Sequence, residues 1–178
     1  MSVPKRPKDV GLVLSILSSK WDDFWPSFIL ELEGLFGEMD YVSPMILFEE
    51  TTYYDRELGR PIFRRILSFK RLIPPDRLPD IKLKTNELED RYRDVHGNRI
   101  FNLDPGIISF ERFVLATGKE YTHRIYLRDG IWADLTLVFQ KGGWQILPWT
   151  YPDYAREDMQ EILLYIRDNY REKLKDNS

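Results

Sequence analysis

The 178 residues carry 29 acidic and 26 basic side chains, and the resulting formal charge of -3 gives no electrostatic reason to expect nucleic acid, whose binders present a basic surface. Zero cysteines exclude disulfides, thiolate metal sites and cysteine nucleophiles, and fit a reducing, cytoplasmic setting. With 43% hydrophobic, 31% charged and 14% aromatic residues, the composition is that of one globular domain over residues 1–178, its core or its binding cleft built from rings.

Residues 10–17 are a short apolar run rich in branched side chains, which predicts a strand buried on both faces. Lys5, Arg6 and Lys8 ahead of it imitate a signal peptide. Ser15 interrupts the run, however, no small-x-small cleavage site follows, and it is too short to span a bilayer, so no membrane partner is expected. From residue 21 to 36 the period changes. Trp25, Phe28, Ile29, Leu32, Leu35 and Phe36 fall at three- and four-residue steps, an amphipathic helix capped by Ser19 or Asp22, with Pro26 in its first turn and Gly37 closing it.

Residues 41–48 predict a second strand, 49–60 a loop and 61–73 a third strand. Prolines and charges alternate with single apolar residues over 74–85, an extended connection. A short helix follows over 86–95, with Asn86 and Glu89 at capping-box spacing and Gly97 at its end. Residues 99–103 then make a fourth strand. The fold class expected is α+β with a mainly antiparallel sheet: a ferredoxin-like βαββαβ N-terminal part, extended by a β-meander and a C-terminal helix. The meander comprises strands over 112–117, 123–128, 131–140 and 144–147, joined at Asp129-Gly130 and Gly142-Gly143. In the helix over 154–174, Met159, Ile162, Leu163, Ile166 and Tyr170 form one stripe behind an Asp153 cap.

No Gly-rich phosphate loop, GxSxG elbow or HExxH is present, and two histidines without cysteine argue against a zinc site while leaving a carboxylate-bound magnesium ion open, so no metal ligands are assigned. Polar chemistry gathers instead between residues 116 and 124. There Thr117 and Gly118 precede three potential cations, Lys119, His123 and Arg124, an arrangement able to hold a phosphate or carboxylate, or equally a solvated hairpin loop. A two-residue turn at Asp129-Gly130 would set Ile125 opposite Asp134 and His123 opposite Thr136. His123 and Asp134 become diagonal neighbours, the geometry of a general base and its orienting carboxylate or of a half-buried histidine satisfied by a hydroxyl.

In Asn102-Leu103-Asp104-Pro105-Gly106 the Pro-Gly pair suits a type II turn that Asp104 caps, or Asn102 and Asp104 are ligands at a strand end. The stiff aromatic segment 147–154, with Tyr151 in it, suits a packing plug or one wall of a cleft, and the Thr51-Thr52-Tyr53-Tyr54 segment suits a lid or a surface loop.

Taken together, FEETTYYDRELG (48–59), LSFKRLI (67–73), KTNELE (84–89), RIFNLDPG (99–106), VLATGKEYTHRIYLRDGIWADLTLVF (114–139) and LPWTYPDY (147–154) resemble a prokaryotic domain-of-unknown-function family of about this length. The resemblance implies single-domain architecture and supplies no reaction. Neither a Walker A loop nor a guanine-reading NKxD is present. The function expected is a small-molecule module for an anionic ligand, a nucleotide or phosphorylated metabolite, held by Lys119, Arg124, Asp104, Thr117, Asn102 and Tyr151. Hydrolytic turnover would use His123 and Asp134. The alternative is a protein-interaction module built on the two aromatic segments.

Overall fold

The computed structural model describes residues 1–176. Strand β1 (Val10–Ser18) is buried at every position, as an apolar run without alternation requires, and it lies in the interior of the sheet. Helix α1 (Trp21–Phe36) follows. Lys20 stands at its N-cap without a side-chain bond, Pro26 lies in its second turn, and Gly37 closes it at φ 93° by donating its N–H to the Glu33 carbonyl. The expected second strand is split into β2 (Met39–Val42) and β3 (Ile46–Leu47), because Ser43-Pro44-Met45 intervenes between them. The loop ahead of β4 (Phe63–Ile73) holds one helical turn, α2 (Asp55–Leu58).

Helix α3 (Leu78–Arg91) replaces the extended connection and short helix expected over 74–95. Pro79 lies in the first turn, where its missing N–H has no intrahelical partner to lose, and a 3₁₀ turn over Pro75–Arg77 leads into it. Asn86 and Glu89 are therefore mid-helix residues rather than a capping box. Strand β5 (Asn102–Ile108) absorbs the Asp104-Pro105-Gly106 stretch expected as a turn. Pro105 faces Leu14 one residue before β6 begins to pair, so its absent N–H leaves the β6 ladder intact. Gly106 is required there by close approach: a Cβ would lie 2.8 Å from the Val114 carbonyl oxygen.

The meander runs through β6 (Arg112–Thr117), β7 (Ile125–Arg128), β8 (Ile131–Gln140) and β9 (Gly143–Ile146). Its turns centre on Asp129-Gly130 and Lys141-Gly142, each pair at positive φ. The second turn thus lies one residue earlier than expected. An extra residue at Leu127 shifts the register of β7, so Ile125 faces Ala133 rather than Asp134, and His123 lies outside the strand. Helix α4 (Glu157–Asp176) begins three residues later than expected, and Asp153 is not its cap.

Among the described residues the strands form one antiparallel sheet ordered β2-β4-β1-β5-β6-β8-β7, with β3 on β4 and β9 on β8. The segment β2-β4-β1-β5, with α1 and α3 as its connections, has the ferredoxin-like arrangement. Leu12, Leu14 and Ile16 of β1 pack against Phe24, Phe28 and Leu32 of α1 and Ile81 and Leu88 of α3. On the opposite face Val13 joins Met159, Leu163, Ile166 and Tyr170 of α4, so helices cover both faces of the sheet. No helix among the described residues is long and apolar enough to cross a membrane.

Candidate functional site

Strand β5 pairs with β1 along its whole length but with β6 only from Gly106 to Ile108. Before that point the strands part: residues 102–105 keep a partner on one side, while Ala116 and Thr117 continue along β8. A cleft of about 710 Å³ opens where they diverge. Its walls come from β4, β5, β6, β8 and α3, from the segment between β3 and α2, and from the chain ahead of α4.

Of the eight residues singled out from the sequence, Asn102, Asp104, Thr117, Lys119, Asp134 and Tyr151 line this cleft. Asn102 donates from Nδ2 to Asp104 Oδ2 at 2.6 Å, and Lys82 Nζ reaches Asp104 Oδ1 at a longer 3.4 Å. The Asp104 carboxylate therefore keeps accepting capacity toward the cleft. Lys119 stands on the lip, where its ammonium donates to the Tyr53 hydroxyl at 3.2 Å and lies 4.8 Å from the Tyr53 ring centroid. No ion pair to Lys119 is formed among the described residues.

Arg124 and His123 are not on the wall. Each of the three Arg124 nitrogens serves the protein: Nε donates to Asp134 Oδ2 at 2.9 Å, Nη1 to the Lys119 carbonyl at 3.0 Å and Nη2 to the Tyr151 hydroxyl at 2.6 Å. Its side chain is 9% exposed, so it positions three lining residues and presents little of itself to a ligand. His123 Nε2 lies 3.1 Å from the same Asp134 oxygen but off the line of a ring N–H, so no hydrogen bond forms and the nitrogen is buried without a partner. The ring stacks on Trp149 at 4.9 Å and 12°. The Trp149 indole in turn donates to the Leu135 carbonyl at 2.8 Å.

Several lining residues carry no local signature. Arg64 of β4 is buried, ion-paired to Asp153 and bonded to Ser15 Oγ at 2.8 Å, with Phe48 and Tyr154 flanking its guanidinium at 5.0 and 5.1 Å. Arg99 grips Glu57 in a two-pronged contact, both arms 2.7 Å, and reaches Glu89 at 2.8 Å. Its hydrogen bond holds the Glu57 carboxyl below the usual range. Burial pushes up the carboxyls of Glu89 and Asp153, against the opposing pull of Lys82 and Arg64 respectively. Burial also raises the phenols of Tyr54, Tyr151 and Tyr154, and Asp104 adds to each shift, so all three remain hydroxyl donors at neutral pH.

Lys82, Asn86 and Glu89 reach the cleft together because they recur at four and three residues on one stripe of α3. That spacing is visible in the sequence once the helix is started at Leu78. The other signal is the Arg64-Arg65 pair inside the otherwise apolar FRRILSF strand, which places one cation on each face of a buried element.

No curated protein and no solved structure matches the chain. A family model described as a domain of unknown function (DUF4416) matches residues 8–170. The chain therefore belongs to the DUF4416 family.

Proposed function

We propose that the protein binds a small anionic ligand, a nucleotide or phosphorylated metabolite, in the cleft between β5 and β6. One observation carries this reading: residues from seven parts of the chain meet in a single ring-walled hollow whose lip holds Lys119, a cation with no carboxylate partner among the described residues. Concave sites walled by rings and provided with a few convergent polar groups are where small ligands are held. A hydrolytic step would draw on the His123–Asp134 pair. Asp134 lies on the wall, and the His123 ring stands behind it, 3.1 Å from the same carboxylate and not hydrogen-bonded to it.

The interaction-module alternative is less well supported. Tyr53, Trp149 and Tyr151 are exposed, but Tyr53 and Tyr151 line the cleft, Tyr154 is buried and Trp149 stacks on His123, which favours a concave site over a flat docking patch.

The test is a thermal-shift screen of phosphate esters on the wild type and on Lys119→Ala. An ester that raises the melting temperature of the wild type and much less that of Lys119→Ala supports the reading. No shift with any anion, or shifts of equal size in both proteins, overturns it.

A further inference from the structure

The proposed anion site can be narrowed by asking which of its groups still lack partners. The cleft lining holds five carboxylates and four cations, a formal balance of one negative charge before any ligand enters. Most of these charges are engaged: Arg64 with Asp153, Arg99 with Glu89 and Glu57, Glu50 with Arg156, and Asp134 with Arg124. Lys82 donates its closest bond to the Leu103 carbonyl at 2.8 Å. Two groups with spare capacity remain, the Lys119 ammonium on the lip and the 31%-exposed Asp104 carboxylate inside.

These two ends ask for different chemistry. Lys119 can neutralise one anionic group, and a second or third phosphate would sit among carboxylates with no cation to meet it. Asp104 accepts hydrogen bonds and asks for donors. The Tyr54 and Tyr151 hydroxyls, kept protonated by burial, and the Asn86 amide lie on the same lining as short polar partners. The rings of Tyr53, Tyr54 and Tyr151 offer flat apolar surface for the C–H faces of a compact ring.

We infer that the ligand is a hydroxylated ring carrying a single anionic group, as in a sugar monophosphate or a sugar acid, with its hydroxyls donating to Asp104 and its anion at Lys119. The inference rests on the anion-binding reading of the same cleft and selects within it against polyphosphates and against anions without hydroxyl groups.

Isothermal titration with ribose 5-phosphate, galacturonate, butyl phosphate and pyrophosphate tests it on the wild type, Asp104→Asn, Asn86→Ala and Lys119→Ala. Asn86 lies on a partly exposed helix face, so its variant keeps the test alive if Asp104→Asn fails to fold. Expected are binding of ribose 5-phosphate or galacturonate, about tenfold weakening by Asp104→Asn, as loss of a charged hydrogen bond implies, and loss with Lys119→Ala. The phosphate and carboxylate arms identify which anion the lip accepts. Butyl phosphate or pyrophosphate binding as tightly as the sugars, with Lys119→Ala abolishing it, sinks this inference and leaves the anion site standing. Absence of binding by all four probes, or binding indifferent to Lys119→Ala, overturns both.

Discussion

Arg124 donates its Nε proton to Asp134 Oδ2 at 2.9 Å while another arm of the same guanidinium holds the Tyr151 hydroxyl, so one largely buried side chain fixes two walls of the cleft. Replacing it with alanine leaves Asp134, 4% exposed, without its charged partner and beside the misaligned ring of His123. Removing one partner of a buried pair costs roughly 3–5 kcal/mol. Arg124→Ala is expected near the lower end of that range, and Arg124→Lys between it and the wild type, because lysine keeps the charge and loses the fork. Urea denaturation measures both; a wild-type midpoint for Arg124→Ala contradicts the assignment.

The Arg64–Asp153 pair invites a double-mutant cycle. Asp153→Leu or Arg64→Met alone strands a buried charge and is expected to cost about 3–5 kcal/mol. The joint replacement by apolar residues, Arg64→Met with Asp153→Leu, should cost less than either single change. A double variant that loses the sum of the two single losses would show that the two side chains act independently.

Gly106→Ala forces a methyl group to 2.8 Å from the Val114 carbonyl oxygen, 3.0 Å from a Phe113 ring carbon and 3.1 Å from Leu115. The nearest atom is backbone, at the point where β5 and β6 meet, so the strands must separate. A destabilisation of about 1–3 kcal/mol is expected, typical of overpacking. Gly11→Ala meets the branch methyl of the fully buried Ile108 at 2.8 Å, a side chain stiff at χ1, so it is also destabilising, but less than a clash with backbone. Guanidinium unfolding of the two variants decides their order.

Two acidic groups should tilt the pH profile in opposite senses. Asp94, held to about 2 from 3.8 chiefly by the Asn98 backbone N–H and also by that of His96, contributes stability that is present above pH 3.8 and lost as the pH falls toward 2. Burial raises Glu89 above 4.5, so its folded form binds more protons than the unfolded chain and its contribution declines as the pH rises past 4.5. Asp94→Asn is expected to flatten the acid limb of a stability–pH curve, and Glu89→Gln the decline on the other side. Unchanged limbs in both variants would refute the assignment.

Period alone gave away β1, α1 and the meander, because each is a long run of one pattern over residues 10–17, 21–36 and 131–140. Helix α3 was hidden by Pro74, Pro75 and Pro79, which read as breakers although a helix accepts proline in its first turn. The Pro105-Gly106 pair was hidden in the opposite way: its turn preference gives way to pairing with β1 and to a space that admits no Cβ. At the site, the polar residues after Asn102 stood out locally, whereas Arg64, Lys82 and Glu89 reach the cleft only through a sheet order that no local pattern specifies. His123 does lie near Asp134, but not through the simple hairpin register that a two-residue turn at Asp129-Gly130 implies. The bulge at Leu127 moves the pairing by one residue, and the turn before β7 returns the ring to the same carboxylate.

The clasp between Tyr53 and Lys119 closes a span of 66 residues, and the Arg64–Asp153 pair one of 89. A hollow assembled from such distant stretches has no precursor in any local fragment, so it emerges only as the sheet completes, and closures of this length slow the search for the native state. A molecule lodged there would rivet the early and late portions of the polypeptide to each other, and its departure would be felt first as loosening between them.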